Sequence, residues 1–400
     1  MNKSTFFSGQ PIFTQLLALI PKEAVIRIAK NYGADRYSKR FNTYEHLVTM
    51  LYSIFNACTS LREVTTGMLA TEQRLQHLGI RFHPRRSTLS DANMRRSSEV
   101  FGQIYYCLLE RYAPFLSDSR KKAAASRLFI FDTTTISLFH EVLRTSGKNP
   151  RTEGKRKGGI KVHALMRSDQ DVPSMIRFSA AAANDSQFLK EVYLPKGSLL
   201  VFDRGYHDFT TFNRFTDSGI TWITRRHRLF AFEILDRFEV NNEDGIVSDR
   251  LIKLGHRSSV RVVARLIKYH NASTDEEYEF VTNNLKMKAS TIAGLYRKRW
   301  QIEVLFKRMK KNYPLQYFLG DSENAIKIQI WCSLIADLLL KIIKKAAAVK
   351  WSFSNLAAMV RLHLMTYIDL KAFLKSPEKA LMKVFKQSKN NQQRQLLLIT

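Results

Sequence analysis

The 400-residue sequence carries 64 Lys and Arg against 35 Asp and Glu, a formal net charge of +29. Its 45% hydrophobic and 11% aromatic content excludes a disordered chain, and its length exceeds one ordinary core, so two or three domains are expected. The basic excess runs through folded-looking segments and is not gathered in a tail. It points to a polyanionic partner, nucleic acid above all, with a ribosomal-type RNA binder as the bland alternative. Cys58, Cys107 and Cys332 fit neither a disulfide framework nor a zinc site and read as reduced core residues of a cytoplasmic protein. No signal peptide is evident at the N-terminus. The most apolar stretch, Ile328 to Ile343, is interrupted by Asp337 and Lys341; it is too short for a membrane span and reads as a buried helix.

Residues 1–120 are helical in pattern. Ile12 to Ile20 form an amphipathic run that Pro21 punctuates, and Thr43-Tyr44-Glu45-His46 opens a helix continued by Leu47, Met50, Leu51, Ile54 and Phe55. From Phe82 to Arg96, Pro84 and Ser87-Thr88 announce a helix after a tight turn. Its first residues are basic, including Arg85 and Arg86, and two readings stay open: a helix-turn-helix recognition element and a solvated basic helix.

The periodicity then changes. Leu128-Phe129-Ile130-Phe131-Asp132 and Leu199-Leu200-Val201-Phe202-Asp203 are buried strands that each end in aspartate, with Gly159 to Met166, Val172 to Phe178 and Thr221 to Thr224 as further strands. Residues 121–227 and 281–345 therefore form a mixed α/β sheet domain. The segment 228–280 is punctuated by Gly245, Gly255 and Asn271 and reads as a β-rich insertion. Residues 346–400 return to a helical pattern, with a polar tail at Lys386 to Gln395.

After that insertion, Ser290-Thr291 cap a helix through Tyr296-Arg297-Lys298-Arg299-Trp300-Gln301-Ile302-Glu303 to Lys310. At about 100° per residue, Tyr296, Arg299, Glu303 and Lys310 fall within roughly 60° of one another, while Leu295, Ile302, Leu305 and Met309 face a core. A carboxylate among cations and a phenol suits a site that holds both a metal ion and a phosphate backbone. Asp132 and Asp203 at strand ends would supply further acids, since phosphodiester transfer at two Mg²⁺ ions needs several carboxylates together. Each acid alone is equally an N-cap, a turn former or a surface residue.

In combination these residues resemble the DDE-type insertion-sequence transposases of the insertion-sequence-four family. Tyr296, Arg299, Glu303 and Lys310 match that family's Tyr-x2-Arg-x3-Glu-x6-Lys signature. Asp203-Arg204-Gly205-Tyr206 matches the context of its second acid and Asp132-Thr133-Thr134 that of its first. The acids are spaced 71 and then 100 residues apart, leaving room for the family's β-rich insertion.

The resemblance implies a ribonuclease H-like mixed-sheet core flanked by helical N- and C-terminal regions. It implies an endonuclease and strand-transfer enzyme of a transposable element, in which Asp132, Asp203 and Glu303 bind two Mg²⁺ ions, with Mn²⁺ able to substitute. Water activated at the ions cuts an end, and the 3′-hydroxyl attacks a second phosphodiester, through a hairpin in some relatives. Tyr296, Arg299 and Lys310 would contact phosphates, and Arg204, Arg85 and Arg86 are further DNA-binding candidates. Trp222 and Trp300 are candidates for stacking on an extruded base; a core position is the alternative for both and is preferred for Trp300. His163 reads as a satisfied core histidine, and Lys155-Arg156-Lys157 as a backbone contact or an exposed loop. The implied partners are double-stranded DNA, as inverted-repeat ends and target, and a second copy of the chain in a homodimer on DNA, with no membrane and with association with a bacterial nucleoid. A nuclease without joining activity and a non-enzymatic DNA-binding derivative are the alternatives.

Overall fold

The computed structural model describes residues 10–80, 83–117, 127–137, 159–228, 230–240, 245–255 and 259–382. Lys155-Arg156-Lys157 and the tail Lys386 to Gln395 lie outside them. The chain divides into two compact units, residues 1–116 with 308–400 and residues 117–307.

The first unit is helical. Its N-terminal part runs α1 (Ile12–Leu17), α2 (Lys22–Asn31), α3 (Thr43–Phe55), α4 (Leu61–Ala70), a 3-10 helix (Glu72–Leu78), α5 (Arg86–Arg95) and α6 (Ser98–Leu116). Asn42 starts α3 through a capping box: its side chain accepts from Glu45 N–H, and the Glu45 carboxylate accepts from Asn42 N–H. All of α3 is buried, so its polar residues need internal partners. His46 Nε2 donates to Asn93 Oδ1 at 2.8 Å. A 3-10 helix comes before α5, Arg85 and Arg86 at the start of α5 are exposed, and Phe82, where the expected turn begins, lies outside the described residues.

The second unit is built on a sheet of β1 (Leu128–Ser137), β2 (Gly159–Arg167), β3 (Pro173–Ala180), β4 (Leu199–Phe202), β5 (Thr221–Arg225), β6 (Phe232–Arg237), β7 (Ile246–Leu254), β8 (Val262–Asn271) and β9 (Glu276–Thr282). Helices α7 (Ser186–Leu189), α8 (Phe209–Asp217), α9 (Ala289–Arg297) and α10 (Trp300–Asn312) accompany it, α10 running past the unit's last residue. The strand order is β3-β2-β1-β4-β5-β9-β8-β7-β6. The first three strands form an antiparallel meander, and β4 and β5 then run parallel to β1. That order and direction make a ribonuclease H-like core. The strands of the β-rich insertion continue the same sheet through antiparallel pairing of β9 with β5.

Both faces of this sheet are covered, so its central strands are near-continuous apolar runs. One layer unites Phe131, Leu200, Phe202, Trp222 and Val281 with α7 and α8. The other unites Leu128, Val201, Ile223, Ile267 and Phe280 with Ile292, Ala293 and Tyr296 of α9.

The helical unit is completed by α11 (Glu323–Ala347), α12 (Phe353–Leu362) and α13 (Leu370–Lys375). Helix α11 contains the apolar stretch Ile328 to Ile343, and those residues are buried. Its Asp337 is neutralised by a bidentate pair with Arg308, both oxygens at 3.0 Å. Helix α6 lies so close to α11 that a Cβ on Gly102 would stand 2.9 Å from the Trp331 ring. Among the described residues no helix is long and apolar enough to cross a membrane. Cys58, Cys107 and Cys332 are free thiols.

His46 makes the helical unit sensitive to acid. Burial, aided by the nearby Arg96 charge and opposed by the Asn93 bond, lowers its pKa to about 3 from 6.5. Above pH 6.5 both folded and unfolded imidazoles are neutral. Between 6.5 and 3 only the unfolded chain takes the proton, so stability falls with pH, by at most about 1.4 kcal/mol per unit. We expect His46→Gln to flatten the acid side of the thermal-midpoint profile relative to wild type. Parallel profiles would assign the acid sensitivity elsewhere.

Candidate active site

Register places the first two acids. In the parallel ladder Phe131 pairs with Phe202, so Asp132 and Asp203 are the next residues on neighbouring strands, about 4.8 Å apart. Side chains alternate along a strand. Leu128 and Val201 point into the α9 layer, and Asp132 and Asp203, in the same phase, leave the sheet on that face. Tyr296 at the end of α9 is buried in this layer, and its hydroxyl lies 3.4 Å from Asp203 Oδ1.

The expected single helix from Ser290-Thr291 to Lys310 is two helices. Ser290 and Thr291 sit within the first turn of α9, after an N-cap at Lys288 that makes no side-chain bond. Between α9 and α10 the bonds tighten to i→i−3: Lys298 N–H to Leu295 O, Arg299 N–H to Tyr296 O and Gln301 N–H to Lys298 O, at 2.9–3.1 Å. Arg299 lies in this tightened turn. One guanidinium nitrogen donates to Asp132 Oδ2 at 3.1 Å and another to Glu303 Oε1, while its buried Nε has no partner. Ile302, Leu305 and Met309 are buried as expected. Lys310 stands seven residues beyond Glu303 along α10, and partial burial lowers its pKa.

The three acids are electrostatically coupled. The Asp132 side chain is only 16% exposed, and burial raises its pKa to about 6. Its bond from Thr133 N–H and the Arg299 charge oppose the rise; Asp203 and Glu303 add to it. Three carboxylates with one guanidinium among them leave net negative charge in a half-buried site, and carboxylate oxygens are hard donors, so the residues fit a divalent cation. As placed, no three Asp, Glu, His or Cys among the described residues form a ready cage for an ion. Arg299 occupies the space between two of them.

Behind the acids lies a polar row that the sequence did not reveal. Thr133 points to the face opposite Asp132. Tyr206, at the end of the Asp203-Arg204-Gly205-Tyr206 turn, donates its hydroxyl to Thr133 Oγ1 at 2.6 Å. Thr133 is then left to donate to His163 Nδ1 at 2.7 Å, which makes Nε2 the protonated nitrogen facing Ser179 Oγ. His163 is a satisfied core histidine stacked on Phe188. The Tyr206 bond ties the turn carrying Asp203 to the strand carrying Asp132. The available signal was phase: Thr133 is one residue out of step with its acid.

The burial of the two tryptophans is the reverse of the sequence preference. Trp222 is 0% exposed, stacked on Phe212 and bonded through Nε1 to Thr216, so it offers no face for an extruded base. Trp300 is 52% exposed, with the Lys307 amine 4.4 Å from its ring centre. It borders a groove lined also by Ser168, Asp171, Arg297, Lys298, Gln301 and Val304. Arg204 is exposed beside Asp203.

A family model described as a transposase DDE domain matches residues 123–339, more than half of the chain. A second, described as a domain of unknown function (DUF4372), matches residues 8–81. A candidate transposase of Sinorhizobium fredii is 26% identical over 74% of this chain and 81% of its own. A candidate transposase for an insertion sequence element of Synechocystis is 26% identical over 64% of this chain and 71% of its own. Among solved structures, a piggyBac transposase synaptic complex with hairpin DNA aligns with 92% of this chain and 82% of its own at 8% identity and a TM-score of 0.44, a likeness too distant to add to the strand order.

Removing the Tyr206 hydroxyl leaves Thr133 with His163 alone. We expect Tyr206→Phe to lower stability by about 1 kcal/mol, the net contribution of one buried hydrogen bond, read from urea unfolding followed by circular dichroism. Coincident curves for variant and wild type would mean that the tie contributes nothing.

Proposed function

The chain belongs to the transposase DDE-domain family, and we propose that it cuts the ends of an insertion sequence and joins them to target DNA, with Asp132, Asp203 and Glu303 holding two Mg²⁺ ions. The observation that carries this reading is the in-register pair Asp132 and Asp203 on one face of the sheet, coupled electrostatically to Glu303. Ions bound there supply Lewis-acid stabilisation of the attacking and leaving oxygens of an in-line displacement.

The chain's own residues do the rest. The half-buried carboxylates hold their oxygens in fixed directions. Tyr296 has its pKa raised, chiefly by burial, so its phenol stays protonated and can donate to an anion. Arg299 supplies a planar fork for a phosphate, and Lys310 and Arg204 supply single charges. Water first attacks the phosphorus at the element boundary and frees a 3′-hydroxyl, which then attacks a second phosphodiester and displaces its 3′-oxygen. Between these steps the first 3′-hydroxyl attacks the opposite strand, displacing the flanking DNA and closing a hairpin while Trp300 stacks on a displaced base; a second water then hydrolyses the hairpin phosphodiester and frees the 3′-hydroxyl again for joining. Two ends must be cut together, so the working form is a homodimer on double-stranded DNA, at the bacterial nucleoid.

With labelled element ends and Mg²⁺, the wild-type chain should yield joined products. Asp132→Asn, Asp203→Asn and Glu303→Gln should each cut at least about a thousandfold more slowly, as loss of several kcal/mol of metal stabilisation requires, while retaining DNA binding. Hydrolysis with no joined product would reassign the chain as a nuclease. Cleavage that survives any of the three substitutions would remove that acid from the site.

A further inference from the structure

Arg299 is placed differently from a residue that only awaits DNA. Its two terminal nitrogens are committed to Asp132 Oδ2 and Glu303 Oε1, joining the first and third acids through one guanidinium. Those two side chains are 16% and 25% exposed and Arg299 itself 17%, so little solvent screens the contacts. Its Nε is buried with no hydrogen-bond partner, so the group is incompletely satisfied where it lies. The residue belongs to the i→i−3 turn between α9 and α10, outside both regular helices.

We infer that Arg299 is a built-in competitor for the divalent cation: its guanidinium holds Asp132 and Glu303 against each other and must withdraw before one ion can take oxygens from both. This rests on the proposal that these acids are the metal ligands. A guanidinium and a divalent ion compete for the same lone pairs, so ion binding must also bear the cost of unseating the fork. A DNA phosphate is the natural acceptor for the withdrawn fork, because its oxygens accept the same bidentate pair and can satisfy further N–H groups. Metal affinity is thereby held low until an end is bound. The chain is spared an exposed, charged metal site in the absence of substrate.

The test is Mn²⁺ binding to the full chain without DNA, by calorimetry or by loss of the free-ion electron paramagnetic resonance signal. Arg299→Gln, which keeps the length and a polar head without the charge, should bind Mn²⁺ about tenfold more tightly than wild type, the scale usual for coupled sites. Arg299→Lys, a point charge that cannot fork, should fall between them. Circular dichroism melts identify any variant that fails to fold, and the lysine form then carries the comparison. Asp132→Asn in both backgrounds separates the two claims. If it leaves Mn²⁺ affinity unchanged, the assignment of the acids as ligands fails. If it weakens binding while Arg299→Gln and Arg299→Lys bind as wild type or more weakly, the acids stand and the competitor role is overturned.

Discussion

The parallel pairing of β1 with β4 is the constraint on which the site depends. Two buried strands in register, Phe131 against Phe202, deliver their following residues to one face at the spacing of neighbouring strands. The apolar layers above and below hold that register, because a slip by one residue would send every side chain to the opposite face. The two aspartates thus need no dedicated scaffold of their own. They are the next beats of an alternation that the core already enforces.

Placing like charges side by side costs energy, and the surroundings show how it is offset. Asp132 is held near the top of the carboxylate range by burial and by its two acidic neighbours. Arg299 relieves part of this through two contacts, and burial in the α9 layer keeps Tyr296 neutral beside Asp203. The three carboxylates still outnumber the one guanidinium among them. The excess of Lys and Arg elsewhere, +29 overall, answers to a different polyanion, the DNA.

Much of this was legible in the residues themselves. An apolar run ending in aspartate reads as a strand that opens onto a cleft, and the phase of Ile302, Leu305 and Met309 gave the buried face of α10 correctly. Four things were hidden for identifiable reasons. Trp222 lies on a strand covered on both faces, where a continuous apolar run carries no information about which side is open. The break between α9 and α10 follows from i→i−3 bonds in a stretch with neither Gly nor Pro to mark it. The partners of Arg299 come from a strand 167 residues away and from the next helical turn, and angular position on a helix cannot rank them. The continuity of the insertion with the main sheet was equally invisible, because edge pairing is a property of backbone direction and leaves little mark on side-chain type.

The tie between Tyr206 and Thr133 reaches beyond stability. Because it fixes the turn after β4 to the body of β1, chain length within that turn is not free to drift. One residue lost from Leu199 to Phe202 would rotate Asp203 into the aromatic layer of Phe131 and Phe212, and one residue gained before Tyr206 would detach the turn from its anchor. The insertion between β5 and α9 has no such restriction, since its strands extend the sheet beyond β5, away from β1 and β4. Variation in length among relatives should therefore be concentrated between the second and third acids and be nearly absent around the second.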